Sequence, residues 1–336
     1  MTCSATPCWL AWRRAAHLSP SREASVSLLE GVSLEIVDAL ASLLMVAVGL
    51  LPESIAAPFE YQFMQRALIT SVLVGAICGL LSCYVVLKRW SLLGDAISHA
   101  VLPGVAMAYL LGWPFFVGAF ITGALTSLGI GALERHTRLK ADAAMGLMFT
   151  AAFAIGIVII SKLASSTHLM HILFGNVLGV KPTAVALTLL ASLLVLGAIW
   201  LAYRPLLLYA FDPLQAQALG FRTGMIHYGL ILLLTLTIVV SLETVGIILV
   251  VAMLIIPGAT AHLLTDRFPA MLAISVTLGV SSAVVGLQLS ATFDIASGAA
   301  IVLVATALFC LVLLAAPKHG LIAGYWRRWR LGHAQT

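Results

Sequence analysis

Between Leu68 and Ala316 the chain is an almost unbroken succession of apolar runs, and no interval is polar enough to cover a folded water-facing domain. The runs fall near residues 66–87, 91–111, 114–133, 143–162, 182–203, 223–242, 246–264, 270–290 and 295–316. Each is close to the ~20 residues that a helix needs to cross the hydrocarbon core of a bilayer. Charged residues make up only 9% of the 336 positions, whereas a soluble domain carries about 25%, so a soluble fold is excluded. In lipid a spanning segment must satisfy its own backbone groups, and a helix does so. The expected fold is all-α: one polytopic membrane domain of nine transmembrane helices, residues 59–318, between an N-terminal extension (1–58) and a basic tail (319–336).

The extension holds one further apolar run, residues 36–51, slightly short for a span and carrying Asp38. It fits an extra helix, an interfacial helix or an over-extended start. A cleavable signal peptide is not expected, because this run begins far from Met1 and no small-residue cleavage site follows it.

The short connections between spans are basic on alternate sides. Placing Lys88-Arg89 and every second connection after it in the cytoplasm puts twelve Lys and Arg inside, against Arg66, Lys162 and Lys181 outside. The positive-inside rule selects that orientation, with the tail Trp326-Arg327-Arg328-Trp329-Arg330 on the cytoplasmic face. The net charge of +5 thus reports topology. Its residues form no patch for nucleic acid. Five scattered cysteines, Cys3, Cys8, Cys78, Cys83 and Cys310, have no zinc-site spacing and read as packing residues. Gly75 and Gly79, and further along Gly123, Gly129 and Gly131, are small residues of the kind that let helices approach closely in lipid.

One span carries chemistry. Asp95 and His99 stand four residues apart, one helical turn, so both side chains leave the same face about 6 Å apart along the axis. An ionisable residue inside a span costs about 2.5–3.5 kcal/mol on insertion scales and ordinarily faces a cavity, a partner or a pathway. A carboxylate with an imidazole suits divalent Mn, Fe or Zn; the plainer reading is a hydrogen-bonded pair that supports packing. Pro103 follows and removes the hydrogen bond to the His99 carbonyl, which permits a kink there.

Other candidates are weaker. Glu243, at the outer mouth, can attract or gate a cation or be a solvated loop acid. The run from it to His262 is expected to be interrupted at Pro257-Gly258. His168 and His171, spaced for one ligand, lie in the outer loop without a nearby acid, and Asp294 is another outer-edge acid. From Tyr209 to Arg222 an Asp212-Pro213 start signal and a Gly220 stop predict one short helix outside the bilayer. No Lys follows a Gly, so no phosphate-binding loop is present, and no His-Glu-x-x-His occurs.

From Phe63 to Pro317 the sequence resembles the metal-specific family of ATP-binding-cassette permeases. The resemblance rests on Phe63-Met64-Gln65-Arg66-Ala67, on Ser91-Leu92-Leu93-Gly94-Asp95-Ala96-Ile97-Ser98-His99-Ala100-Val101-Leu102-Pro103-Gly104, on His171-Ile172-Leu173-Phe174-Gly175-Asn176-Val177-Leu178-Gly179 and on Leu254-Ile255-Ile256-Pro257-Gly258-Ala259-Thr260-Ala261. It implies that Asp95 and His99 are the acid and histidine of a membrane metal site. Asp212, Ala216, Ala218 and Gly220 would then mark the coupling helix that docks on the ATPase. It implies three partners: an ATP-hydrolysing subunit, an extracytoplasmic metal-binding protein and a second permease protomer, the same chain or a paralogue. The chain itself would be no enzyme and hold no permanent cofactor, the metal being cargo. The histidine-containing segment resembles the manganese and iron branch more than the zinc branch. The expected role is divalent-metal import across a bacterial cytoplasmic membrane, with manganese first. The rivals are a proton-coupled secondary transporter with Asp95 and His99 as its relay and, more distantly, an intramembrane hydrolase pairing Ser297 with His99.

Overall fold

The computed structural model describes residues 42, 59, 61–161 and 177–316. Residues 36–51 apart from Ser42, the outer-loop His168 and His171, and the basic tail lie outside the described residues. Among those described there is no strand, and nine helical spans are long and apolar enough to cross a membrane. Their bounds fall within a few residues of the expected runs.

The first helix, α1 (Gln62–Lys88), is the axis of the bundle. It packs chiefly against α11 (Phe268–Phe293) and α10 (Ile247–Leu264), and more lightly against α6 (Pro182–Leu201). Small residues make the closest crossing. A Cβ at Gly75 would lie 2.8 Å from the Gly279 carbonyl oxygen, and one at Gly79 would lie 2.8 Å from that of Ser275. No side chain fits there, so Gly79→Leu must separate α1 from α11, at a cost of about 1–3 kcal/mol or more. The expected result is a lower midpoint of thermal aggregation in detergent. Gly197→Leu, which meets nothing within 4 Å, should leave that midpoint in place, and equal drops in both variants would show that the crossing is not what the substitution disturbs.

α10 carries Pro257 without interruption, contrary to the break expected there. The reason lies on α1: Ser82 Oγ accepts from the Gly258 N–H at 2.8 Å and donates to the Ile255 carbonyl at 3.2 Å. A hydroxyl from a neighbouring helix thus braces the backbone on both sides of the proline, as Ser and Thr side chains do for proline-bearing helices in lipid.

α1 ends at Arg89, a left-handed cap at φ 58°, with the Trp90 N–H bonded back to the Val85 carbonyl at 2.9 Å. The chain re-enters as α2 (Leu93–Ala100) and α3 (Leu102–Leu111), one span whose helix is interrupted at Val101. Pro103, at the start of α3, has no N–H for the His99 carbonyl, so the interruption falls just past the Asp95–His99 turn.

The rest of the bundle is α4 (Phe115–His136), α5 (Ala141–Ser161), α9 (Thr223–Val245) and α12 (Ser297–Ala315). α9 runs further than expected. The segment 241–244 is helical, not a loop, and the Thr244 hydroxyl is satisfied within the helix, donating to the Ser241 carbonyl at 3.1 Å. Only Gly246, at φ 87°, separates α9 from α10.

Two short helices fill the longest described connection, where one was expected. α7 (Tyr203–Phe211) and α8 (Pro213–Ala218) meet at Asp212, whose extended backbone ends the first while its carboxylate caps the second. Three of the connections expected to share one membrane side lie together: the Lys88 Nζ sits 3.5 Å over the Tyr209 ring, and Phe211 meets Phe268 at 5.8 Å between ring centroids.

Candidate functional site

α2 is held between α5, α9 and α10, with α4 alongside. Its buried side is made of Leu93, Ala96, Ile97 and Ala100. Ser98, also buried, donates its hydroxyl to the Gly94 carbonyl at 2.8 Å. The face left open is the one bearing Asp95 and His99, whose side chains are 49% and 32% exposed. His99 Nε2 lies 3.5 Å from Asp95 Oδ1. That gap is longer than a charge-assisted hydrogen bond, but two ligands of one divalent ion at bond lengths of about 2.0–2.2 Å stand roughly 3–3.5 Å apart. The pair is already spaced to share an ion.

The histidine is oriented by aromatics. Phe149 and Phe153, one turn apart on α5, approach its ring at 5.4 and 5.6 Å. Nε2 lies on the side of the carboxylate. Neither phenylalanine was among the candidates from sequence. The available signal was an aromatic pair at i, i+4, which in an apolar span ordinarily marks packing.

Two donors are all that converge. Among the described residues no three His, Cys, Asp or Glu side chains gather at one point. Glu243 therefore does not join the pair. It sits exposed in the last turn of α9, with Lys181 as its electrostatic neighbour. His262 is exposed near the end of α10. Asp294 is the left-handed cap of α11 at φ 57°. Ser297 begins α12, where the next residue, Gly298, faces Val245 and Leu249.

At the opposite end from Glu243, α8 stands out from the bundle. Asp212 Oδ1 accepts from the Leu214 and Gln215 N–H groups at 2.9 and 3.0 Å, an N-cap of the kind its Asp-Pro sequence calls for. Ala216 faces inward and is fully buried, whereas Leu214 and Leu219 are 78% and 61% exposed. Ala218 ends the helix, and Gly220 closes the turn at φ 85°, with nothing within 4 Å of where a Cβ would stand. A six-residue helix cannot hold itself together. It is clamped by its cap, by Ala216 and by the glycine turn, with its apolar tip in the open.

Among the described residues, nine helices long and apolar enough to span make this a multi-pass membrane protein. The profile described as the ABC 3 transport family matches residues 60–316. The chain belongs to that family. It is 54% identical over 269 residues to the manganese transport system membrane protein MntC of Halalkalibacterium halodurans, covering 80% of this chain and 92% of that one. It is 44% identical over 260 residues to the chelated iron transport system membrane protein YfeD of Yersinia pestis, covering 77% and 88%. Among solved structures, PsaBC from Streptococcus pneumoniae in complex with Fab superposes with a TM-score of 0.71 at 41% identity, over 80% of this chain and 96% of that chain.

Proposed function

We propose that the chain is the permease subunit of an ATP-driven importer of divalent metal cations, with manganese its principal cargo. The observation that carries the proposal is the Asp95–His99 pair, 3.5 Å apart on the open face of a membrane span. A two-donor site holds an ion loosely, as a conduction step requires, and a facing permease protomer supplies the remaining ligands. The oxygen-and-nitrogen donor set suits Mn and Fe as well as Zn. Similarity to relatives named for manganese and for iron supports that order of cargo.

The partners in this reading are an ATPase subunit that receives α8, an extracytoplasmic protein that delivers the ion, and a second permease copy or paralogue. Membership of an ABC family favours this over a proton-coupled carrier or an intramembrane hydrolase. The membrane is the bacterial cytoplasmic membrane, with the Lys88 end of α1, α7, α8 and the C-terminus on the cytoplasmic side, following the excess of Lys and Arg there. Glu243 and Lys181 then lie at the outer mouth.

The test is reconstitution in liposomes with the ATPase and the binding protein, supplied with Mn, Fe or Zn in turn. ATP-dependent accumulation greatest for Mn is expected. Accumulation driven by a pH gradient in liposomes that contain the permease alone would overturn the reading in favour of a secondary carrier.

A further inference from the structure

A second group of polar side chains lies outside the ion site, at the end of the bundle that carries α7 and α8. Tyr209 of α7 is 7% exposed and His227 of α9 is 3% exposed. The phenol oxygen and His227 Nδ1 share a hydrogen bond of 2.7 Å. The face of the same phenol carries the Lys88 ammonium at 3.5 Å from the ring centroid, a contact of cation–π type. Trp90, 2% exposed, stands edge-on to His227 at 5.3 Å. Glu134 of α4 interacts with both the Trp90 indole and the Lys88 ammonium. One tyrosine thus ties α7 to α1 and α9, and through Lys88 and Trp90 it reaches α4.

This group is not an ion site. Lys88 and Arg135 place two cations around it, and repulsion from them opposes a divalent ion. Nor does packing account for it. Glu134 Oε2 is buried without a hydrogen-bond partner, which is costly to leave in place. Such groups persist where a second arrangement satisfies them or where function needs them.

The position gives the function. α7 leads directly into α8 through the single residue Asp212, so a displacement of α8 is carried into the helix that bears Tyr209. On the other side, Lys88 is the last residue of α1, and the chain runs from it through Arg89 and Trp90 straight into α2 and Asp95. Burial also pushes the Tyr209 phenol above its ordinary range, so it stays a neutral hydrogen-bonding group.

We infer that Tyr209, with Lys88 and His227, is the positioning contact through which movement of α8 is passed to the helix that bears the ion ligands. The inference rests on the permease reading above. In this arrangement α8 docks, α7 acts as the lever, and the Tyr209 contact converts its tilt into a shift of the α1–α2 turn.

The test measures ATP hydrolysed per Mn ion accumulated in liposomes containing the permease, its ATPase and its binding protein. Tyr209→Phe keeps the ring under Lys88 and removes only the hydroxyl. It is expected to raise the ATP-to-ion ratio by about 2- to 30-fold, the usual range for coupling residues, with the ATPase still co-purifying. His227→Leu should do the same, and His227→Asn, which restores a hydrogen-bonding group near the Nδ1 position, should bring the ratio back. An unchanged ratio in Tyr209→Phe, with transport intact, overturns the inference and leaves the permease reading standing. If the wild-type assembly accumulates no divalent ion with ATP, it is the permease reading that fails. Should His227→Leu not assemble, the Tyr209→Phe ratio decides alone.

Discussion

Asp95→Ala and His99→Ala are each expected to cut ATP-dependent ion accumulation by more than about 100-fold, since loss of even an outer-shell partner of a metal ligand costs 10–100-fold. The more discriminating readout is stability. An ionisable residue in a span is retained against a cost of about 2.5–3.5 kcal/mol, and removing it from a half-exposed position relieves that cost without opening a cavity. Asp95, with its side chain 49% exposed, makes no hydrogen bond to the rest of the bundle in the described residues beyond its approach to His99. Asp95→Ala should therefore aggregate thermally at or above the wild-type midpoint, while His99→Ala, which loses its ring contacts with Phe149 and Phe153, should fall only slightly below it; both should still co-purify with the ATPase while failing to accumulate Mn. Asp95→Asn, which keeps volume and loses charge, should be as inactive as Asp95→Ala. Preserved accumulation in either alanine variant, or a drop in midpoint matching the drop in uptake, would make the pair a packing feature.

The two phenylalanines refine that expectation. If Phe149 and Phe153 act by orienting the imidazole, shortening one leaves the ligands present but less well aimed, and weakens uptake without abolishing it.

The spans were legible because lipid imposes one solution on an apolar run of that length. The Asp95–His99 pair was legible because helical spacing alone sets which side chains share a turn. What escaped the sequence depends on a partner far along the chain. Pro257 looks like a break until Ser82, on another helix, is found bonded to the backbone on either side of it. Glu243 looks like a loop residue because Ser241 and Thr244 are polar, yet the Thr244 hydroxyl is bonded inside α9. The Tyr209 group is harder still. Lys88, Glu134, Tyr209 and His227 sit on four helices, each unremarkable near the end of its own segment, and only the fold puts them in one place. α7 was absorbed into its neighbours, since a nine-residue apolar helix beside a span has no boundary of its own except the Asp212 turn.

Gly220→Pro is expected to separate ATP hydrolysis from transport more completely than any substitution in the Tyr209 group, and by a different route. Gly220 holds φ 85°, its N–H bonds to the Gln217 carbonyl at 3.0 Å, and the following N–H, of Phe221, returns to Ala216 at 3.1 Å. Proline fixes φ near −65° and has no N–H, so it opposes the left-handed turn and removes one of its hydrogen bonds. It also disfavours the helical backbone of Leu219, now φ −81° and ψ 6°. A helix of six residues has no reserve to absorb this, and the exposed Leu219 and Leu214 lose their fixed aim. At about 1–2 kcal/mol for the lost conformation and about 1 kcal/mol for the lost bond, the docked state should weaken by at least about 10-fold. Gly220→Ala incurs only the left-handed strain, and Asp212→Ala only the loss of the N-cap, about 1 kcal/mol; both should fall between wild type and proline. The ion site lies on another element, so Mn binding to the purified permease should be the same in all four proteins. The signature that separates the two devices is co-purification: Gly220→Pro releases the ATPase, while Tyr209→Phe retains it and hydrolyses ATP without matching transport. If Gly220→Pro holds the ATPase as wild type does and transports at the same ATP-to-ion ratio, α8 is not the docking element, and the lever from α7 to the ion site has nothing to drive it.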